Sequence, residues 1–221
     1  MKAHITNATS VGRAHKGAAL ALDLGLVVGL VLLGVYVYGT LHKDQLSFSS
    51  GDWKSVLRDG SQLGPSGGPK TLVEFTDYQC PYCKTANEAL GGLDHSKYRV
   101  LIIHYPLRSL HAQAEAAAIA AECAKEQGHF SEFHTALFND QEAIAREDWA
   151  QISSKVPSIS LPKLRACMQS EPAKARVEKG IAIGTKVGVN GTPTFFLNRK
   201  SISMENIARL EKGTLQRLAS Q

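Results

Sequence analysis

Methionine and histidine form no tracts in this sequence, which holds three methionines and eight scattered histidines in 221 residues. That absence counts against a carrier of copper, whose soft ion is held by clustered soft ligands. His95, His104, His111, His129 and His134 form no pair at metal-ligand spacing on a common helix face, so they read as surface or cap residues. No metal site is expected. Lysine and arginine total 25 against 20 acids, giving +5 and a pI of about 9.0, yet no basic run interleaved with aromatics occurs. Nucleic acid is therefore not indicated as a partner. No internal repeat is visible. Cysteine is scarce as well: of the four, two form the only CxxC, so a zinc site would lack half of its four ligands.

What the chain does have is Cys80-Pro81-Tyr82-Cys83, directly after the apolar run Thr71-Leu72-Val73-Glu74-Phe75-Thr76. Two thiols at that spacing, at a strand end and a helix start, can close a small ring disulfide and reopen it. The first turn of a helix has unpaired N–H groups and a partial positive charge, which favour thiolate over thiol. Pro81 suits that turn, because its φ is helical and it lacks an N–H that would be orphaned anyway. The arrangement reads as a redox motif. Half of a zinc site and a structural disulfide are the bland alternatives.

The N-terminus decides the compartment. From Ala18 to Thr40 the sequence is apolar except for Asp23, and Leu24 to Leu41 carries no charge. At about 1.5 Å per residue that stretch reaches about 27 Å, close to a bilayer's hydrocarbon core. Lys2, Arg13 and Lys16 precede it without any acid, whereas Lys43 and Asp44 after it balance. The charge bias places the N-terminus in the cytoplasm and everything after Leu41 outside. A cleaved signal peptide is the competing reading; its apolar core would be shorter, and Val37-Tyr38-Gly39 is a poor cleavage site. The expected layout is a cytoplasmic tail at 1–17, a transmembrane anchor at 18–41, a linker at 42–70 rich in Gly, Pro and Ser, and a domain at 71–221.

Within that domain Thr71–Thr76 predicts a first strand and Pro81 to about Leu93 a helix. Tyr98 to Tyr105 predicts a second strand, whose apolar run suits a central parallel position. Helices follow at Leu110–Gln127, Arg146–Val156, Leu161–Gln169 and Ala173–Val187, with Phe130, Phe133, Leu137 and Phe138 as core at helical spacing. Thr194–Leu197 and Ser201-Ile202 predict a hairpin, and Ser203 caps a last helix to about Leu218. Parallel strands joined through helices, then a hairpin, make an α/β domain. Gly191-Thr192-Pro193-Thr194 precedes a strand, where an X-Pro bond is a candidate for cis; a simple loop end is the alternative. Glu74 sits inside an apolar strand, either buried or facing water from an edge. Cys123 and Cys167 both fall in predicted helices. In an oxidising compartment they are expected to form a structural disulfide, with two buried free thiols as the rival.

The blocks Val73-Glu74-Phe75-Thr76-Asp77-Tyr78-Gln79-Cys80-Pro81-Tyr82-Cys83, Glu126-Gln127-Gly128-His129-Phe130 and Gly191-Thr192-Pro193-Thr194-Phe195-Phe196 together resemble the DsbA-like thiol–disulfide oxidoreductases of bacterial envelopes. The match runs over about residues 65–215. It implies a thioredoxin fold with an inserted α-helical domain at about 106–188. It also implies Cys80 as the exposed nucleophile, Cys83 as the buried resolving thiol, a cis Thr192–Pro193 bond beside them, and Glu74 as a buried acid beneath. The pair Pro81-Tyr82 departs from the Pro-His of the best-known oxidase, which removes one possible stabiliser of the Cys80 thiolate and suggests a less oxidising site.

The implied activity is that of a dithiol oxidase. A substrate thiolate attacks Cys80, and a second substrate thiol resolves the mixed disulfide. An extended substrate segment would pair with backbone beside Pro193, with Thr192 and Tyr82 at the same surface. No cofactor is expected beyond the Cys80–Cys83 pair. Partners would be cysteine-containing envelope proteins and a membrane redox protein that re-oxidises or reduces the CxxC. A reductase or isomerase uses the same groups in reverse, and a copper-handling protein using the CxxC thiolates or a binding module without chemistry are the readings from other classes.

Overall fold

The apolar runs at 71–76 and 98–105 become the two inner parallel strands of a five-stranded sheet. In this computed structural model, which describes residues 27–37, 46–65 and 67–210, the strands are β1 (Ser61–Leu63), β2 (Lys70–Thr76), β3 (Tyr98–His104), β4 (Thr194–Leu197) and β5 (Lys200–Ile202). Their order is β1-β3-β2-β4-β5. Only β2 and β3 run parallel; the other neighbours are antiparallel.

Successive side chains of a strand point to opposite faces, so burial along all of Leu72–Thr76 requires cover on both. Leu72 joins Val100 and Ile102 in one core, while Val73 and Phe75 join Leu101, Ile103 and Phe196 in the other. By the same period of two, Glu74 and Thr76 share the face of Leu72. That face is covered by the helix α2 (Pro81–Gly91), the crossover a parallel β2–β3 pair needs.

Between β3 and β4 the chain is helical: α3 (Ala114–Glu126), α4 (Phe130–Asn139), α5 (Gln141–Ala145), α6 (Trp149–Ser154), α7 (Leu161–Met168) and α8 (Glu171–Lys186). Phe133, Leu137 and Phe138 of α4 are fully buried. Glycine lets α8 lie close to the sheet. A Cβ on Gly180 would stand 2.6 Å from the His104 carbonyl oxygen, and one on Gly184 2.6 Å from the Tyr105 ring. Cys123 of α3 and Cys167 of α7 are joined by a disulfide, with S–S 2.03 Å and Cα–Cα 5.7 Å. Ser203 Oγ accepts from the Asn206 N–H at 3.3 Å and starts the helix seen over 204–210; the remainder of the helix expected to Leu218 lies outside the described residues.

Most of the stretch expected as a linker at 42–70 is built into the fold, while 42–45 and 66 lie outside the described residues. From Leu46 onward it belongs to the same compact unit as the sheet. Ser49 caps the helix α1 (Ser50–Asp59) by accepting from the Asp52 N–H, and β1 adds an edge strand against β3. Phe48 is buried with its ring centroid 4.5 Å from that of Phe196, a burial contributing about 2 kcal/mol. A strand of three residues between Gly60 and Gly64 is too short to show a period, so the glycines dominate the reading.

The other unit covers residues 1–45. Within it residues 27–37 are helical, and their apolar side chains are exposed all round, from Val37 at 42% to Tyr36 at 69%. Among the described residues no helix is long and apolar enough to cross a membrane. The rest of the expected anchor (18–26 and 38–41) and the 1–17 tail lie outside the described residues.

Candidate active site

The chain leaves β2 at Thr76, turns through Asp77-Tyr78-Gln79, and enters α2 with Cys80 as its N-cap and Pro81 in the first turn. The turn is tied at both ends. The buried Asp77 carboxylate accepts from the N–H groups of Gln79 and Leu107, each at 2.8 Å, and is 2.9 Å from His111 Nδ1. The Gln141 side-chain amide, at the start of α5, donates to the carbonyls of Tyr78 at 2.9 Å and Cys80 at 3.2 Å. The helical block thus holds the cysteine loop in place. Asp77 and Gln141 escaped the sequence reading because their partners lie about 30 and 60 positions away along the chain.

Cys80 and Cys83 are both free thiols. Cys80 Sγ donates to the Thr192 carbonyl oxygen at 3.3 Å, and the Thr192–Pro193 peptide bond is cis. With that loop against its sulfur, Cys80 keeps only 4% of its surface open, less than the exposed nucleophile expected from the resemblance. A hydrogen bond from the Cys83 thiol holds the Cys80 thiol down at about 5; burial opposes this, and the backbone N–H groups of Cys83 and Tyr82 add to it. Cys83 is fully buried, and burial, then Cys80, then Glu74 push its thiol up. One thiol is therefore poised as thiolate and its neighbour as a proton-bearing reserve. Tyr82 is 73% exposed, and its ring stands in solvent while its N–H serves Cys80.

Glu74 is completely buried on the central strand β2, which overturns the edge-strand alternative. Its Oε1 accepts from the Thr76 hydroxyl at 2.8 Å, and Oε2 has no partner among the described residues. Burial pushes the carboxyl up to about 8, partly offset by Thr76, so Glu74 is largely protonated at neutral pH.

Two histidines read as surface residues are buried instead. His134 of α4 sits at helical spacing among Phe130, Phe133 and Phe138, and its Nδ1 is 2.9 Å from the Tyr78 hydroxyl. Burial pushes it down to about 3, so it is neutral. His104 ends β3 and pairs with Glu122 at 3.1 Å; Glu122 also accepts from Ser61 and Arg176, each at 2.8 Å. Although burial opposes it, His104 leads the groups that hold Glu122 down at about 2. This cluster borders a cavity of about 340 Å³ away from the cysteines. Among the described residues no three His, Cys, Asp or Glu side chains gather as metal ligands.

The free dithiol at the start of α2, the cis bond beside it and the sheet order together define a known architecture. A family model described as Thioredoxin matches residues 58–213. The chain belongs to the thioredoxin family. It is similar to the Na(+)/H(+) antiporter NhaA 3 of Salinispora tropica, 33% identical over 71% of this chain and 24% of that protein, so it spans about a quarter of that relative's length. It is 23% identical, over 83% of this chain and 88% of that one, to the probable disulfide bond formation protein D of Bacillus anthracis. Among solved structures, BdbD of Bacillus subtilis in its oxidised state superposes with a TM-score of 0.59 at 24% identity, covering 73% of this thioredoxin-family chain and 93% of the other.

Proposed function

We propose that this chain is a protein thiol–disulfide oxidoreductase of the DsbA-like kind, working through Cys80 and Cys83 as an oxidase of cysteine-containing envelope proteins. The observation that carries the reading is the free Cys80–Cys83 pair at the start of α2 with the cis Thr192–Pro193 bond beside it, where the hydrogen bond from Cys83 and the backbone N–H groups hold the Cys80 thiol down at about 5. A thiolate stabilised in the dithiol form makes the disulfide form the stronger oxidant, which favours oxidase over reductase or isomerase. The donors that stabilise it are the Cys83 thiol and backbone N–H groups, so the loss of a cationic side chain at Tyr82 weighs less than the sequence suggested. Substrate attack at Cys80 would follow pairing of an extended segment with the backbone at Thr192–Pro193, with exposed Tyr82 beside it. Glu74 would supply and recover the proton of Cys83.

In this reading the domain stands outside the cytoplasm, held by a single-pass anchor at 18–41 and re-oxidised by a membrane redox protein. Supporting it are the exposed apolar helix at 27–37, the basic residues before it, and the Cys123–Cys167 disulfide, a bond that persists in oxidising compartments.

The test is the reduction potential of Cys80–Cys83, measured against glutathione. A value between about −120 and −180 mV supports the oxidase. A value near −270 mV, where thioredoxin lies, would mark a reductase instead.

A further inference from the structure

The turn that delivers Cys80 to the start of α2 is held by more than its own backbone. Within it the Cys80 N–H donates to the Asp77 carbonyl at 3.1 Å, and the Lys84 N–H donates to the Cys80 carbonyl at 3.2 Å. The Tyr78 carbonyl belongs to a fully buried residue and, among the described residues, accepts only from the Gln141 amide, at 2.9 Å. The same Nε2 donates to the Cys80 carbonyl at 3.2 Å, so one amide spans the residues on both sides of Gln79. A buried carbonyl stripped of its donor costs free energy, so the turn is tied to that amide. Gln141 is held in turn by its neighbour. Asp140 caps α5 by accepting from the Ala143 N–H at 3.1 Å, and its other carboxylate oxygen accepts from Gln151 on α6 and from Lys155, each at 2.6 Å. Anchors on α5 and α6 thus fix one amide, and the amide fixes the backbone from which the Cys80 sulfur projects.

We propose that Gln141 is a positioning residue for the exchange reaction: by holding the Tyr78 and Cys80 carbonyls it keeps the Cys80 sulfur against the N–H groups of the first turn of α2, and so stabilises the dithiol form relative to the disulfide. The inference rests on the thiol–disulfide reading above. Gln141 makes no hydrogen bond to the sulfur and carries no charge, so it acts through the backbone. The groups at the sulfur are the Thr192 carbonyl at 3.3 Å, the N–H groups of Tyr82 and Cys83, and the Cys83 thiol, with Glu74 of β2 as the nearby acid. Hydrogen bonds weaken steeply as their angle closes, so a small displacement of the Cys80 backbone is felt at the sulfur. In the disulfide form the bond to Cys83 fixes that sulfur, and the amide matters less. The equilibrium that reads this out is exchange with glutathione. Two glutathione thiols give two electrons and two protons to the Cys80–Cys83 bond, which opens to the dithiol, and their sulfurs join as a disulfide. One proton stays on Cys83, and the other is released where Cys80 is a thiolate.

The test measures three quantities in full-length protein: the equilibrium constant of Cys80–Cys83 with glutathione, the pH midpoint of Cys80 alkylation, and the thermal midpoint. Gln141→Leu keeps the bulk and removes both donors; Gln141→Met does the same with an unbranched chain should leucine disturb α5. Loss of the two hydrogen bonds should shift the constant about tenfold toward the disulfide, which is about 30 mV. The Cys80 midpoint should rise with it by up to about one unit, the same factor of about ten. A lowered thermal midpoint with the constant and the Cys80 midpoint both within about twofold of wild type would overturn the proposal, since a residue that only packs moves stability alone. A shift of the constant toward the dithiol would overturn it as well. If the wild-type pair exchanges with glutathione while both variants keep its constant, Gln141 loses its role and the oxidoreductase reading stands. If the wild-type pair does not exchange at all, that reading fails and the inference fails with it.

Discussion

Cys80 and Cys83 stand three positions apart around one helix start, whereas Cys123 and Cys167 stand 44 positions apart on α3 and α7. The first pair is free and surrounded by groups that separate its two thiols in acidity: hydrogen bonds lower Cys80, burial raises Cys83, and a raised carboxyl lies beneath. The second pair is bonded, with Glu126 Oε2 3.4 Å from Cys167 Sγ, and it ties two helices of the block that also carries Gln141. Both pairs are made of the same atoms. What distinguishes them is placement: one pair stands at a helix start over a buried acid, and the other bridges two helices.

The contrast can be sharpened through pH. The folded state holds Glu74 protonated up to about pH 8, whereas the unfolded chain releases that proton above about 4.5. Stability tied to this proton is full below pH 4.5 and lost as pH rises through 8. Wild type should therefore lose up to about 5 kcal/mol more than Glu74→Gln between pH 4 and 9, measured by urea unfolding at each pH. Parallel curves for the two proteins would mean that Glu74 is not held neutral by the fold.

A smaller effect belongs to the second pair. Replacing Cys123 and Cys167 by alanine together should cost about 4 kcal/mol of stability by the chain-entropy estimate for a loop of this length. The oxidation rate of a reduced substrate protein should be unchanged, because the bridge touches none of the groups around Cys80. A drop in rate at temperatures where the variant is still folded would break the division into a structural and a reactive pair.

Much of this contrast could be read along the chain. Cys80-Pro81-Tyr82-Cys83 after an apolar strand marks the helix start, and Gly191-Thr192-Pro193-Thr194 marks the strand entry that lies against it, because turn and cap chemistry is local. Glu74 stood out as a charge within an apolar run. Thr76, Asp77 and Gln141 did not, since a threonine at a strand end, an acid in a turn and a glutamine on a helix look ordinary until the fold brings their partners to them. His104 and His134 were misread for a related reason. Each continues an apolar pattern, Val100–Ile103 for one and Phe130–Phe138 for the other, and pattern was the better guide than polarity. The edge strand β1 was hidden by glycines on both sides, and its identity depends on pairing with β3.

The account depends most on the unequal acidity of the two thiols at the start of α2. Alkylation of the reduced full-length protein, with each cysteine followed by peptide mass from pH 4 to 10, measures it directly. Cys80 should react with a midpoint near 5, while Cys83 stays unmodified well past the range of an ordinary thiol. Equal rates at both positions, with midpoints near about 8.5, would contradict the account.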